Sequence, residues 1–365
     1  MKIGIDLSIT AVNQAGSGQY TRNLIEAMDT LLPPESLVTF SVRQQRIMSA
    51  QKTIRSRMDT LYRDLWWTHV ILPRQSRQAG VDLLHMPSGI IPFATSCPVV
   101  VTILDTILFQ MPHLFPAWQR LYFRLFGPFS AHRSSHILTI SNQSRQDIIR
   151  TFRVPQEKVT VTFPAADPQF KVLPGKVTDY VKKSYHLDQY ILMVGTIEPR
   201  KNIIRTLEAY ALLRHQGLDY PLVHAGPQGW LNEDLPAKIK HLGLDEKVRF
   251  LGHIPLPDLV ALYNGASVLI YPSLYEGFGL PPLEGMACGC PVVTSNISSL
   301  PEVVGDAALT VSPFDIDGMA DALRNVLVSP DLAADLRLRG LKRAAAFSWE
   351  NCARETINVY KSVAQ

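Results

Sequence analysis

Short apolar runs recur along the chain, each closed by a proline, a glycine or a polar residue. Residues 268–271 (VLIY) are apolar throughout and rich in β-branched and aromatic side chains, the pattern of a strand buried on both faces of a parallel sheet, and Pro272 ends them. Residues 190–194 (YILMV) repeat the pattern. They run straight into GTIEPRKN (195–202) and then into a helix-period stretch that puts Leu207, Tyr210, Ala211 and Leu213 on one side. KIGIDL behind Met1, the run before His85 in LLHMPSG, VVVTI and VTVTF add further strands. Strand, glycine turn, helix is the phosphate-binding arrangement of doubly wound sheets, so the chain is predicted to be α/β. The tract VTVTFPAADPQF (159–170) predicts the last strand of a first domain with a proline-rich exit, and LPGKVTDY a linker. The expected domains are 1–171 and 172–346.

The tract 275–289 (YEGFGLPPLEGMACG) sets two carboxylates, Glu276 and Glu284, eight residues apart around a glycine-proline turn. Gly277 and Gly279 permit positive φ and close approach of backbone N–H groups to a ligand, and Pro281 and Pro282 suit a first helical turn. Such a helix start favours an anion. Glu276 on the loop and Glu284 one turn into the helix would face one crevice, where carboxylates accept hydrogen bonds from sugar hydroxyls; alternatively, both are ordinary solvated glutamates. Upstream, Arg200 and Lys201 follow the other strand. A guanidinium fork and an ammonium there would neutralise a diphosphate; the competing reading is two solvated basic residues at a helix start.

Length and composition narrow the setting. With 365 residues, 46% of them hydrophobic, the chain can bury two cores. No run reaches a membrane-spanning length; CPVVVTILDTILF comes nearest, and Pro98 and Asp105 interrupt it. Met1 leads directly into a strand, so no signal peptide is expected. Cys97, Cys288, Cys290 and Cys352 have no zinc or CxxC spacing and suit reduced cytosolic thiols, which makes a cytoplasmic location the expectation. Charge is uneven. Residues 1–170 hold 17 Lys+Arg against 11 Asp+Glu (+6), and residues 171–365 hold 19 against 21 (−2). The basic excess lies between Arg43 and Arg77, among Ile54, Leu61, Tyr62, Leu65, Trp66 and Trp67. That segment either rests on an anionic membrane surface or is an amphipathic helix packing Trp66 and Trp67 inward; no nucleic-acid motif accompanies it.

The motifs taken together resemble the retaining nucleotide-sugar glycosyltransferases of family 4. GTIEPRKN is followed some seventy residues later by EGFGLPPLE, and GSGQYTRNL (16–24), HILTISNQSRQDII (136–149), GCPVVTSNISSLPEVVGDAA and FSWENCARETINVY fall in the family's order. The resemblance implies the GT-B fold, two Rossmann-like doubly wound domains facing a central cleft. The first domain would take the acceptor and the second the donor, with a final helix (347–365) packing back on the first. It implies transfer of a sugar with retention, from a nucleotide diphosphate to a saccharide or lipid-linked acceptor, without a cofactor. The closing tracts most resemble bacterial O-antigen and exopolysaccharide mannosyltransferases, which makes GDP-mannose the expected donor, while the base-side residues Phe250 to Ile254 fit GDP and UDP alike.

By the same resemblance Glu284 would hold the ribose hydroxyls and Glu276 those of the transferred sugar, with the base near His253 and Ile254. Gly195, Thr196 and the backbone of Gly277, Phe278, Gly279 and Leu280, with Gly16 and Gly18, would line the donor site. Stabilising the departing diphosphate is the main catalytic need and falls to Arg200 and Lys201. No metal is expected: the lone Asp-x-Asp spelling, Asp315-Ile316-Asp317, sits where helix capping explains it. One departure stands out. Where many members carry His-Asp after the VVVTI strand, this chain has Leu104-Asp105. Asp105 would still reach sugar or acceptor, and His85 would either line the same cleft or be structural. The departure leaves room for an inactive nucleotide-binding partner protein or a nucleotide-sugar 2-epimerase.

Overall fold

The computed structural model describes residues 1–11, 16–42, 62–229 and 234–364, and the chain divides into two compact units, Met1–Pro164 with Ser348–Gln365, and Ala165–Phe347.

Each unit is built on a six-stranded, wholly parallel sheet. The first has the order β2-β1-β3-β4-β5-β6, with β1 Ile3–Asp6, β2 Leu37–Phe40, β3 Leu83–Met86, β4 Val99–Thr102, β5 His136–Thr139 and β6 Val159–Val161. The second has the order β12-β11-β10-β7-β8-β9, with β7 Ile191–Val194, β8 Leu222–Ala225, β9 Val248–Gly252, β10 Val268–Tyr271, β11 Val292–Ser295 and β12 Leu309–Val311. The apolar runs become central strands because helices cover both faces. All four residues of β7 and of β10 are buried, and Ile191, Met193, Val268 and Ile270 share one core with Leu207, Tyr210 and Leu213 of the helix Ile203–His215. The sheet order reverses between β7 and β10, where the chain, after building outward through β8 and β9, returns to pair on the other side of β7. Doubly wound sheets bind ligands beyond the strand ends at such a reversal.

In the first unit the final helix, Trp349–Val363, packs along the helix Gly16–Leu31 and buries Cys352, Ala353, Ile357 and Tyr360, with the Tyr20 and Trp349 rings 5.9 Å apart. Ser348 caps it by accepting from the Asn351 amide at 3.1 Å.

Two expectations change. LPGKVTDY is not a linker: after Gly175 the chain turns into the helix Lys176–Tyr185, which buries Val181 and sends the Tyr180 and Tyr185 hydroxyls to Asp258, each at 2.6 Å. The two tryptophans part company, since Trp67 is buried and donates from Nε1 to Asp6 at 3.0 Å while Trp66 is 55% exposed. Residues 43–61 of the basic segment lie outside the described residues. Of the two readings of His85, the structural one holds. The residue is wholly buried, with Nε2 at 2.7 Å from the Thr102 hydroxyl and Nδ1 at 2.6 Å from the Tyr360 hydroxyl, so it joins the final helix to the sheet.

Burial pushes the His85 pKa down to about 3. The unfolded chain, where the ring titrates near its ordinary 6.5, therefore binds a proton that the native state refuses between those values. Stability is complete above pH 6.5 and is lost as pH falls toward 3. Between pH 7 and pH 5 this one ring should remove roughly 2 kcal/mol. Urea unfolding at the two pH values should show a smaller pH difference for His85→Gln than for the wild type; equal differences would refute the assignment.

Candidate functional site

The two loops at the reversal of the second sheet supply a buried charge cluster. After β7 the backbone of Gly195 turns with φ 128° against Gly226, which follows β8; a Cβ on Gly226 would lie 2.0 Å from the Gly195 carbonyl oxygen, so only glycine lets these loops meet. The chain then makes a short 3-10 turn, Pro199–Lys201, and Asn202 enters the left-handed region with φ 60° to start the helix Ile203–His215. Asn202 is buried and its Nδ2 donates to the Pro272 carbonyl at 3.2 Å and the Pro313 carbonyl at 2.6 Å, while the Leu274 amide donates to the Arg200 carbonyl at 2.8 Å. The turn after β7 is thereby fastened to the segment after β10.

The side chains complete the joint. Arg200 Nη1 lies 2.6 Å from Glu276 Oε2 and donates to the Tyr275 carbonyl at 3.0 Å; its Nε donates to Glu198 at 2.9 Å. Lys201 Nζ lies 2.7 Å from Glu276 Oε1 and also meets the Tyr271 hydroxyl, which donates to Glu276 at 2.8 Å, and the Ser273 hydroxyl donates to the same oxygen at 2.6 Å. Glu276 is 8% exposed. Burial pushes its pKa up, but Arg200 and Lys201 outweigh that and, with the Lys201 and Ser273 hydrogen bonds, bring it down to about 2, so it is ionised throughout the physiological range. Burial, and then the Arg200 charge, lower the pKa of Lys201, while Glu276 works the other way.

Serines fix the loop that carries Glu276. Ser298 Oγ accepts from the Glu276 amide at 3.0 Å, and Ser299 Oγ donates to the Glu276 and Phe278 carbonyls at 2.9 and 2.6 Å. Gly279, with φ 118°, opens the helix Leu280–Ala287, whose first turn holds Pro281 and Pro282; of the two glycines expected to need positive φ, Gly277 does not. Phe278 is buried with its ring against Phe347, and Leu280 is half-buried. Glu284 lies in this helix, is 6% exposed, and accepts from the Tyr263 hydroxyl at 3.0 Å. Neither glutamate is solvated, and Arg200 and Lys201 are not free surface charges.

Arg200, Lys201 and Glu276 thus come together in direct contact. Gly195 belongs to the same group, since a Cβ on it would lie 3.3 Å from Lys201 Cε; Thr196 beside it is half-buried. His253, exposed, and Ile254, half-buried, follow β9. Gly16, Gly18 and Asp105 belong to the other unit. Gly16 opens its helix with φ 46°, and Asp105 accepts from the Ile107 amide at 2.9 Å just ahead of the short helix Ile107–Gln110, with Leu104 half-buried before it. Asp315 caps the helix Ile316–Val328 through the Gly318 amide at 2.9 Å. The sequence reading missed Glu198, Tyr271, Ser273, Ser298 and Ser299. Only Glu198 left a trace, as an acid two residues from Arg200; the others act from strand ends and a loop that no spacing links to Glu276.

The family Glycosyltransferase Family 4 matches residues 16–170 and Glycosyl transferases group 1 matches residues 180–343. The O-antigen chain mannosyltransferase B of Escherichia coli is 38% identical over 284 residues, covering 76% of this chain and 74% of its own. The chain belongs to the family 4 glycosyltransferases. Its fold is that of sucrose-phosphate synthase from Thermosynechococcus elongatus (TM-score 0.79, 19% identity, 99% of both chains). Anabaena Alr3699/HepE, solved in complex with UDP and glucose, is similar too (TM-score 0.76, 17% identity, 99% of this chain and 100% of that one). The glycosyltransferase is therefore a GT-B protein.

Asn202 locks the two loops of this glycosyltransferase together, so Asn202→Ala should cost about 3 kcal/mol, from two buried carbonyls left unpaired and alanine held at positive φ. Asn202→Gly, free of the backbone strain, should recover about 1 kcal/mol of that. Denaturant titration of both variants checks the order; an alanine variant as stable as the glycine one would contradict it.

Proposed function

We propose that the glycosyltransferase is a retaining, metal-independent mannosyltransferase that moves mannose from GDP-mannose to a saccharide or lipid-linked acceptor of cell-surface polysaccharide. One observation carries the donor site: two partly buried cations, Arg200 and Lys201, at the sheet reversal of the unit Ala165–Phe347, each held by the buried Glu276. Mannose and the polysaccharide are supported by the likeness to O-antigen chain mannosyltransferase B, and a nucleotide diphosphate donor by the likeness to HepE, which was solved with UDP.

Breaking the anomeric bond leaves negative charge on the diphosphate. Fixed cations in a buried site stabilise that charge without reorganising, and this accounts for the rate without a metal. Arg200 presents a planar fork and Lys201 a point charge. Glu276, ionised and locked by Arg200, Lys201, Tyr271 and Ser273, takes the hydroxyls of the transferred sugar, and Glu284 those of the ribose. The backbone of 277–280 and of Gly195 and Thr196 lines the phosphates, and His253 and Ile254 lie toward the base. Gly16, Gly18 and Asp105 lie in the other unit, the one that begins at Met1.

Arg200→Ala and Lys201→Ala should each lower kcat about a hundredfold, or about 3 kcal/mol, in an assay of mannose transfer. Glu284→Ala should instead raise the donor Kd. Near-normal turnover by either cation variant at saturating donor would contradict the assignment.

A lipid-linked acceptor would bring the enzyme to the cytoplasmic face of the membrane. No described helix is long and apolar enough to cross a bilayer. What supports surface contact is the helix Ala117–Arg133, which has no acidic residue and exposes Trp118, Leu121 and Leu125 beside Arg120 and Arg124. Apolar side chains interleaved with arginines suit an anionic lipid surface. The wild type should sediment with anionic but not with zwitterionic vesicles, and Leu121→Glu with Leu125→Glu should abolish most of that; no sedimentation of the wild type with anionic vesicles would remove the membrane from the account.

A further inference from the structure

The charge cluster contains a carboxylate that the proposed reaction does not use. Glu198 precedes the 3-10 turn with extended backbone and is 7% exposed. Its Oε1 accepts from both Nε and Nη2 of Arg200, while Nη1 on the other edge of the same guanidinium faces Glu276 and the Tyr275 carbonyl. Arg200 is therefore held between two carboxylates. Counting Lys201, two cations meet two anions, and the cluster has no net charge.

That balance has a consequence for a ligand. A partly buried cation is costly to fix without counter-ions, so Glu198, together with Glu276, is what lets Arg200 stay in place before any anion arrives. Glu276 is shared with Lys201, Tyr271 and Ser273 and cannot follow Arg200 alone. Glu198 bonds to Arg200 on the edge away from Glu276 and adds a negative charge within a few ångströms of any phosphate that approaches the guanidinium. It holds the fork in one plane and opposes the anion that the fork attracts.

We propose that Glu198 is a positioning residue that fixes the Arg200 guanidinium and, as its internal counter-ion, weakens the hold on the diphosphate so that the nucleoside diphosphate product leaves. This rests on Arg200 and Lys201 being the diphosphate site. Glu198 touches neither sugar nor reacting atom in the proposal. It acts only through Arg200.

The test is titration calorimetry of GDP, UDP and inorganic pyrophosphate on the wild type, Glu198→Gln and Glu198→Asp, together with steady-state kinetics. Glu198→Gln keeps the shape and removes the charge. Whichever of these ligands the wild type binds should bind this variant roughly tenfold tighter, as expected for one unit charge removed at short range. The donor KM and kcat should fall together, because product leaves more slowly. Glu198→Asp keeps the charge but shortens the side chain; it should lower kcat with no gain in affinity. Should glutamine not be tolerated, Glu198→Ala carries the same expectation of tighter binding. A folded charge-removing variant that binds diphosphates no better than the wild type overturns the counter-ion role alone, as does an aspartate variant that binds tighter. A wild type that binds none of the three overturns the diphosphate site itself and this role with it.

Discussion

The pairing of Arg200 and Lys201 with Glu276 is the constraint around which the second unit is arranged. Charges this deep are tolerable only when paired and hydrogen-bonded, and the partners come from both strands at the sheet reversal: the two cations and Glu198 follow β7, while Tyr271 ends β10 and Ser273 and Glu276 follow it. Removing either cation would strand a buried carboxylate. Everything near the cluster reads as support for holding these groups in one geometry. Asn202 ties the turns, Ser298 and Ser299 clamp the Glu276 loop, and Gly226 lets the loops touch.

Such an arrangement suits a reaction whose difficulty is charge on a leaving group. Preorganised cations do not have to move when charge develops, so their stabilisation is available in full at the transition state. The same rigidity would make product release slow, because what stabilises a departing diphosphate also retains it. The proposed role of Glu198 answers that conflict by tempering the field of Arg200 from the far edge of its guanidinium. The first unit has its own buried joint, in which His85 links Thr102 of β4 to Tyr360 of the final helix. There the charge is kept out, since burial holds the ring neutral.

Much of this was legible in the sequence, and the failures have physical causes. VLIY and YILMV read as buried parallel strands because the runs are short, uniformly apolar and closed by Pro272 and Gly195, and the strand, glycine turn, helix order at 190–215 announced a doubly wound sheet. The helix after Gly279 was legible from its prolines. The expected linker failed because Val181 and the tyrosines at 180 and 185 find partners in a helix some seventy residues away, and local glycine and proline content does not report such contacts. Glu276 and the pair Arg200-Lys201 were legible as candidates, but their direct contact was not, since residues seventy-five apart meet only through sheet order. For His85 the structural reading holds, but its partner Tyr360 lies 275 residues on, beyond any local signal.

The measurement that tests the central claim most directly is a crystal structure of the protein soaked with a nucleoside diphosphate that stabilises it against heat. The account predicts phosphate oxygens within hydrogen-bonding distance of the Arg200 guanidinium and the Lys201 ammonium, with the ribose at Glu284. A nucleotide whose phosphates sit away from both cations, with the cluster unchanged, would contradict it.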